Sequence, residues 1–347
     1  MVGTKRTLWK RLTGILTGYK SSGQSQNRSQ KSPAVTRRAK QAVLSIPHYF
    51  RVLARIRRPS ELYGWVYFKY PYLFPLRDFP PHLCVEVTNK CNFSCKHCYR
   101  TATPRPQGEM EVTLFEKIVR EVSLQGSFGS FKLLGAGEAA LHSRFRELMG
   151  ILAHSTIPGV VWTNGSLLHL CSHREILSWG LKTVVVSIDG VDAEDYERIR
   201  IGGHYASLRK ALMDFSECRE SSGCRSPIIE IRHTIMPNET ATQLRQFRKT
   251  WLETADSVKF GTLSTGPGEI EDPSRPKCRP IRREMDIWWD GTARLCGGRY
   301  WRESLGDIRH STVSELWRHP RLENMRECHE RRDFAQVPLC LKCRQCI

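Results

Sequence analysis

Residues 91–98 read CNFSCKHC and place Cys91, Cys95 and Cys98 at a C-x3-C-x2-C spacing. They follow an apolar, β-branched stretch at 83–88, which predicts a buried strand. A short loop after a strand can bring three thiolates to one metal centre. Three ligands leave one site of a four-iron cluster open, and an open metal site is where substrate chemistry occurs. The alternative is a zinc knuckle or unrelated thiols, but zinc sites usually add a second cysteine pair or histidines.

The loop resembles the signature of the radical S-adenosylmethionine (radical SAM) superfamily, in which an aromatic residue, here Tyr99, follows the third cysteine. The resemblance implies that SAM chelates the open iron of a 4Fe–4S cluster. An electron from the reduced cluster, supplied by a donor such as flavodoxin or ferredoxin, then splits SAM and yields a 5′-deoxyadenosyl radical. That radical abstracts hydrogen from a substrate. The cofactors carry the difficult step, so the protein binds, orients and excludes water.

Beyond residue 82, short β-branched runs alternate with segments of helical periodicity. Strands are predicted at 83–88, 131–134, 160–163, 183–188, 228–235 and 257–260. Helices are predicted at 113–124, 144–153, 174–179, 205–218 and 241–252. A capping box of Thr113 and Glu116 opens the first helix. This α/β alternation predicts a partial (β/α)6 TIM-type barrel of parallel strands, with its catalytic loops at the carboxyl ends of the strands.

Glycine and polar residues follow the later strands, and the resemblance assigns them to SAM. Gly135, Gly137 and Glu138 match the family's G-x-G-E stretch, which binds the methionyl ammonium of SAM. The other implied contacts are Thr163 and Asn164 to the ribose and carboxylate, Ser187, Arg200 near the SAM carboxylate, and His97 on the adenine side. For Arg200, a surface helix arginine is the alternative. The resemblance covers residues 82–260.

A second group of cysteines follows the Gly/Pro-rich connector 261–276, which predicts a domain boundary. Asp290-Gly291 predicts a hairpin, and a predicted helix at 312–319 precedes a terminal C-x2-C. This layout resembles the SPASM and twitch extensions of the superfamily, which bind auxiliary 4Fe–4S clusters. The resemblance implies one auxiliary cluster with the ligands Cys278, Cys296, Cys340 and Cys343. Cys328 or Cys346 is an alternative ligand, and a structural zinc ribbon is the alternative site.

Most of the positive charge lies at the N-terminus. The chain carries a net charge of +19, and residues 1–80 contribute 16 basic residues against two acids, or +14. The predicted domains are a basic, disordered arm at 1–45, an aromatic-rich extension packing on the core at 46–80, the radical SAM core at 81–262 and the auxiliary-cluster domain at 263–347. Residues 1–42 are expected to make weak contact with a membrane surface or an anionic partner.

The sequence has no apolar run as long as a membrane span and no secretory signal, so we expect a cytoplasmic protein. Its 13 cysteines fall mostly into clusters, which favours metal binding over disulfides.

Three functions are compatible with these features. The first is net oxidation of a sugar, cyclitol or similar small molecule, in which an all-cysteine auxiliary cluster accepts an electron. The second is maturation of a peptide or protein, the commonest association of SPASM domains, although residues 1–80 do not resemble a leader-peptide recognition domain. The third is RNA modification, or nucleic-acid binding with a structural metal site, which the basic N-terminal segment favours but no nucleic-acid-binding motif supports.

Overall fold

The computed structural model describes residues 66–67, 69–102, 105–125, 129–262, 277–297, 302–341 and 343. Within these residues, nine strands form one sheet with the order β6-β5-β4-β3-β2-β1-β7-β8-β9. The strands are β1 His82–Val85, β2 Ser130–Leu133, β3 Gly159–Thr163, β4 Thr183–Ser187, β5 Ile228–Ile235, β6 Ser257–Thr262, β7 Glu284–Ile287, β8 Thr292–Arg294 and β9 Ser304–Asp307. β1 to β6 pair in parallel, which confirms the predicted partial barrel.

Helices connect the parallel strands, and three more of the described helices follow β9. Those described are α1 Tyr99–Ala102, α2 Val112–Ser123, α3 Phe145–Ala153, α4 Leu167–Leu170, α5 His173–Ser178, α6 Ala193–Ile199, α7 Tyr205–Ser221, α8 Ala241–Trp251, α9 Val313–Trp317, α10 Pro320–Arg331 and α11 Pro338–Leu341. The core lies between the sheet and these helices, where Leu83, Val85, Phe115, Ile118 and Phe131 are fully buried.

The predicted capping box at Thr113 is wrong. α2 begins at Val112, and its N-cap is Glu111, which makes no side-chain capping bond. Val112 is buried, so its packing draws the first turn one residue toward the N-terminus and leaves Thr113 inside the turn. Capping boxes occur instead at α5, α8 and α9.

The predicted hairpin at Asp290-Gly291 is confirmed. β7 and β8 pair antiparallel, and Gly291 N donates to Trp288 O at 2.9 Å. Gly291 has φ +82°, and a Cβ there would lie 2.7 Å from Asp307 Oδ1. A glycine is therefore needed at this turn.

The C-terminal cysteine-rich segment extends the barrel sheet. β7 pairs in parallel with β1, with Cys84 opposite Asp286 and Val85 opposite Ile287. The connector 263–276 lies outside the described residues, so the predicted boundary there stays a prediction. The pairing itself places the strand that precedes the cluster loop directly beside the strand that begins the hairpin.

The predicted N-terminal arm and the first part of the aromatic extension lie outside the described residues. The part from residue 66 onward contacts the C-terminal segment. Tyr67 Oη donates to Arg282 O at 3.2 Å, and Tyr72 Oη donates to Cys278 O at 2.7 Å. Trp317 Nε1 donates to Arg77 O at 2.9 Å. No helix among the described residues has the length and apolarity that crossing a bilayer requires.

Candidate active site

The cysteine loop follows β1, as predicted, and residues far along the chain fix its backbone. Ser94 N donates to Ile201 O at 2.9 Å, and Lys96 N donates to Ile199 O at 3.0 Å. Arg100 Nη2 donates to Phe93 O at 2.6 Å. Residues 199–201, at the end of α6 and after β4, therefore hold the backbone of the loop.

The thiols of this loop lie close enough that a charge on one raises the pKa of the others. Burial raises the pKa of Cys91 and of Cys95, and the Cys98 charge raises each of them further. Cys91 Sγ accepts from Phe93 N at 3.5 Å and from Asn164 Nδ2 at 3.7 Å. Donors aimed at sulfur suit a thiolate ligand, and a bound metal removes the cost of ionising a buried thiol by replacing its proton. The three cysteines thus fit an iron–sulfur cluster.

The loop after β2 approaches the loop after β1 too closely for side chains at its glycines. A Cβ on Gly135 would lie 2.3 Å from Glu86 Cγ, and one on Gly137 would lie 2.3 Å from Thr88 O. Glu138 N donates to Lys90 O at 2.8 Å. The glycines of the predicted SAM motif are therefore required for this close backbone contact, and their role toward SAM stays a prediction.

Glu138 joins the ends of β2 and β3. Its Oε1 accepts from Thr163 Oγ1 at 2.8 Å, and its Oε2 accepts from Asn164 N at 2.7 Å. The residue is buried, and burial raises the pKa of Glu138 to about 7. A carboxylate oxygen can accept two hydrogen bonds. The bonds from Thr163 and Asn164 therefore leave room for the predicted contact to the SAM ammonium.

Asp189 contacts two further residues of the predicted SAM site, Arg200 and His97. Its Oδ2 accepts from Arg200 Nε at 2.8 Å and lies 3.2 Å from His97 Nε2. Burial opposes ionisation of this carboxyl, but the charge of Arg200 and the bond to His97 outweigh it and lower the pKa of Asp189. Arg200 is only 7% exposed, so the surface-arginine alternative is wrong. Ser187, at the end of β4, lies two residues before Asp189 and is partly buried.

Sequence reasoning missed an ion pair beside the SAM motif. Arg105 Nη1 and Nη2 donate to Glu86 Oε1 and Oε2 at 2.9 and 2.7 Å. Glu86 Oε2 also accepts from Ala136 N at 2.7 Å. The Arg105 guanidinium lies 3.5 Å from the centre of the Trp288 ring. The only local sign of this ion pair in the sequence is that an acidic residue, Glu86, directly follows β1.

The four predicted auxiliary ligands lie on either side of the hairpin or in the tail. Cys278 precedes the 3₁₀ turn Pro280–Arg282, and its N–H donates to His329 Nδ1 at 3.1 Å. Cys296 follows β8, and Cys340 lies in α11. Cys343 N donates to Cys340 O at 3.1 Å, and both are buried.

Within the part of the chain described, no three His, Cys, Asp or Glu side chains converge tightly enough to hold a single metal ion. A four-iron cluster separates its ligands more widely than one ion does, so its cysteines need not converge in this way. Cys328 is fully buried in α10 within the hydrophobic core, and Cys346 lies outside the described residues. The ligand set of the auxiliary site stays a prediction.

Family models match most of the chain between the cysteine loop and the tail. The radical SAM superfamily model matches residues 85–250, and the SPASM iron–sulfur cluster-binding domain model matches residues 278–344. The protein belongs to the radical SAM superfamily and carries a C-terminal SPASM domain. The radical SAM domain implies a 4Fe–4S cluster and SAM as cofactors, and the SPASM domain indicates auxiliary iron–sulfur binding.

Three curated relatives span different chemistries. The antilisterial bacteriocin subtilosin biosynthesis protein AlbA of Bacillus subtilis is 27% identical over 146 residues, covering 42% of this chain and 32% of AlbA. A probable GTP 3′,8-cyclase of Methanococcus maripaludis is 30% identical over 130 residues, covering 37% and 43%. The mycofactocin maturase MftC of Mycobacterium tuberculosis is 25% identical over 213 residues, covering 61% and 48%. The chain therefore spans less than half the length of each of these relatives.

Two solved structures have the same fold at low identity. Streptococcus suis SuiB bound to the precursor peptide SuiA superposes with a TM-score of 0.59 at 13% identity, covering 93% of this chain and 78% of that one. BtrN in complex with AdoMet and 2-DOIA superposes with a TM-score of 0.50 at 13% identity, covering 76% and 93%. At these identities the likeness establishes the fold alone.

Proposed function

We propose that the protein is a peptide maturase that removes a hydrogen atom from a residue of a precursor peptide. The observation that carries this proposal is the sequence likeness to AlbA and MftC, whose names place them in bacteriocin biosynthesis and mycofactocin maturation. The fold shared with peptide-bound SuiB extends over 93% of the chain and is compatible with the same substrate class. Peptide maturation therefore replaces small-molecule oxidation as the first hypothesis.

The chain's own residues would bind and orient the cofactors. Cys91, Cys95 and Cys98 would hold the SAM cluster, and Cys278, Cys296, Cys340 and Cys343 the auxiliary one. When bound, the first cluster and SAM supply the 5′-deoxyadenosyl radical, and an all-cysteine auxiliary cluster supplies a one-electron acceptor.

Around these ligands, Glu138 fixes the strand ends on which Thr163 and Asn164 lie. Asp189 fixes His97 and Arg200 behind the loop. These contacts are made within the protein alone, so they would pre-organise the site before SAM and substrate enter.

The substrate class can be tested directly. The full-length protein, reconstituted with iron and sulfide under anaerobic conditions, would be incubated with SAM, a chemical reductant and short peptides encoded beside its own gene. We expect one peptide to increase 5′-deoxyadenosine formation and to change in mass. If no encoded peptide does so, while an aminocyclitol or sugar stimulates 5′-deoxyadenosine formation and loses two hydrogens, the peptide assignment is wrong.

Small-molecule oxidation remains the second candidate, because the fold matches 93% of BtrN and the cysteines suit a single auxiliary cluster. In either case we propose net oxidation. Cys91, Cys95 and Cys98 would hold the cluster that, with SAM, supplies a radical able to take one hydrogen atom from the substrate. Cys278, Cys296, Cys340 and Cys343 would hold a cluster able to accept the remaining electron, and the proton would pass to solvent. A deuterated substrate should therefore pass deuterium to 5′-deoxyadenosine and yield a product two hydrogens lighter. A product of unchanged oxidation level would contradict this outcome.

Flavodoxin or ferredoxin as the electron donor, and contact of residues 1–42 with a membrane surface or anionic partner, remain proposals. So does location in the cytoplasm.

A further inference from the structure

Arg232 projects from the face of β5 that is opposite to α8. Its chain neighbours Ile231 and His233 are fully buried, and the His233 ring packs against Phe247 of α8 with 4.4 Å between the ring centres. β5 is regular here, because it keeps an unbroken parallel register with both β4 and β6. Since side chains alternate along a strand, Arg232 lies on the other face, which is the interior in a barrel of this type.

Side chains from strands that are not neighbours meet on this interior face. The Arg232 guanidinium lies 5.5 Å from the centre of the Trp162 ring on β3, although β4 separates β3 from β5. Lys132 on β2 reaches Glu284 on β7 across β1 in the same way, with Nζ 2.7 Å from Oε2. The interior face is therefore lined by aromatic and charged side chains that converge from several strands.

Arg232 lies next to the predicted SAM site. It is opposite Ser187 in the register of β4 and β5, and Ser187 is a predicted SAM contact. Trp162, over which Arg232 lies, lines a small cavity together with Gly135 and Gly137 of the predicted SAM motif. A group bound by Arg232 would therefore lie near the carboxyl ends of the strands, where barrels of this type carry their active sites.

The protein does not neutralise the positive charge at this position. Nη1 of Arg232 lies 3.9 Å from Oε1 of Glu230, which is too far for a hydrogen bond. The other oxygen of Glu230 lies 2.5 Å from Nζ of Lys259, which is opposite Arg232 in register. Among the described residues, two cations thus share one carboxylate. The side chains of Arg232 and Lys259 are 36% and 37% exposed, so an entering anion can reach them.

We propose that Arg232 binds a carboxylate of the precursor peptide beside the SAM site and so selects the residue that reacts. A guanidinium can donate two parallel hydrogen bonds to a carboxylate, and the contact with the Trp162 ring holds its plane in place. The carboxylate is that of an Asp or Glu side chain or of the peptide C-terminus. This inference rests on the proposed function, because it names the chemical group that the peptide presents, and it makes Arg232 a specificity-determining residue.

The kinetic test uses the encoded peptide that increases 5′-deoxyadenosine formation. Changing each Asp or Glu of that peptide to Asn or Gln, or amidating its C-terminus, identifies which carboxylate is bound. We expect one of these changes to raise the wild-type KM for the peptide about 10- to 100-fold. Arg232→Gln should raise the KM for the unmodified peptide by a similar factor and should no longer distinguish it from the modified peptide, because both changes remove the same contact.

Two further variants define the kind of contact. Arg232→Lys keeps the charge but loses the pair of parallel donors, so we expect a smaller rise in KM than in Arg232→Gln. Arg245→Gln is the matched control, because Arg245 is an exposed arginine of the following helix α8 that bonds to Thr242 on the same helix. This variant should distinguish the two peptides as strongly as the wild type does.

A second measurement does not depend on turnover. Saturation-transfer NMR would compare the binding of N-acetylglutamate amide and N-acetylglutamine amide to the reconstituted full-length protein with SAM. We expect the wild type and Arg245→Gln to prefer the acidic probe and Arg232→Gln to lose that preference.

The outcomes separate this inference from the function it rests on. If no encoded peptide is turned over but the acidic probe binds through Arg232, the peptide assignment fails and the carboxylate site stands. If Arg232→Gln raises the KM for acidic and amide peptides by the same factor, or raises the KM for SAM in place of the KM for the peptide, the inference is overturned. It is overturned as well if the wild type shows no preference for the acidic probe, or if Arg232→Gln keeps that preference.

Discussion

Arg200 and Asp189 form a buried ion pair in which Nε and Nη2 of the arginine lie 2.8 and 2.6 Å from Oδ2 of the aspartate. The other oxygen, Oδ1, accepts from Thr234 N at 2.7 Å. The Asp189 carboxylate therefore bonds both to the end of α6 and to β5.

Asp189→Asn should destabilise the protein strongly, because it leaves the Arg200 charge buried and unpaired. We expect a loss of about 3 kcal/mol in the free energy of unfolding, measured by urea denaturation under argon. Asp195→Asn is the control, since Asp195 pairs with Arg198 at the surface and should cost less than about 1 kcal/mol. Equal losses in the two variants would contradict a structural role for the buried pair.

Glu138 should make stability fall as the pH rises. Burial raises its pKa from 4.5 to about 7, so between these values the folded chain keeps a proton that the unfolded chain has released. The free energy of unfolding should therefore decrease through this window, by about 3 kcal/mol in total. Glu138→Gln should remove this part of the slope in denaturation curves recorded from pH 4.5 to 8, whereas Glu147→Gln, at an exposed residue, should keep it. An unchanged slope in Glu138→Gln would mean that this carboxyl ionises normally.

Replacement of Cys91, Cys95 and Cys98 together by alanine should halve the iron content, from about eight to about four atoms per chain. It should also abolish reductive cleavage of SAM, because the remaining cluster has no open site. Iron analysis and 5′-deoxyadenosine assays measure the two effects. Undiminished 5′-deoxyadenosine formation in this triple variant would refute the assignment of the SAM cluster.

Single alanine substitutions at the four auxiliary cysteines, for example Cys296→Ala, should remove the other half of the iron and leave some substrate-independent cleavage of SAM. Cys328→Ala is the matched control, because Cys328 is buried in α10 within the hydrophobic core and its thiol lies 3.9 Å from Asn324 Oδ1 and from Gln336 Oε1. This variant should keep both clusters. Retention of all iron in Cys296→Ala, or loss of the second cluster in Cys328→Ala, would require a different ligand set.

Local pattern was sufficient to predict most of the barrel. The buried strands of a parallel sheet are runs of β-branched residues, which can be recognised in the sequence. The range predicted for β5, 228–235, matches Ile228–Ile235. The cysteine spacing and the glycine motif are equally local, which is why they were visible in the sequence.

Long-range contacts escaped prediction. Arg105 bonds to Glu86, which lies 19 residues earlier in the chain, and stacks on Trp288, which lies 183 residues later. Nothing near Arg105 in the sequence signals either partner, because both are set by the way the sheet brings distant segments together. The same holds for Arg200, whose buried guanidinium pairs with the carboxylate of Asp189, 11 residues earlier in the chain.

The pairing of β7 with β1 has a consequence for how the chain reaches its native state. β1 completes its hydrogen bonding only when β7, about 200 residues later, has been synthesised and docked. Until then β1 is an edge strand whose free N–H and C=O groups can pair with other molecules. A fragment ending at residue 262 should therefore aggregate, and the nascent barrel should depend on chaperones until the hairpin arrives.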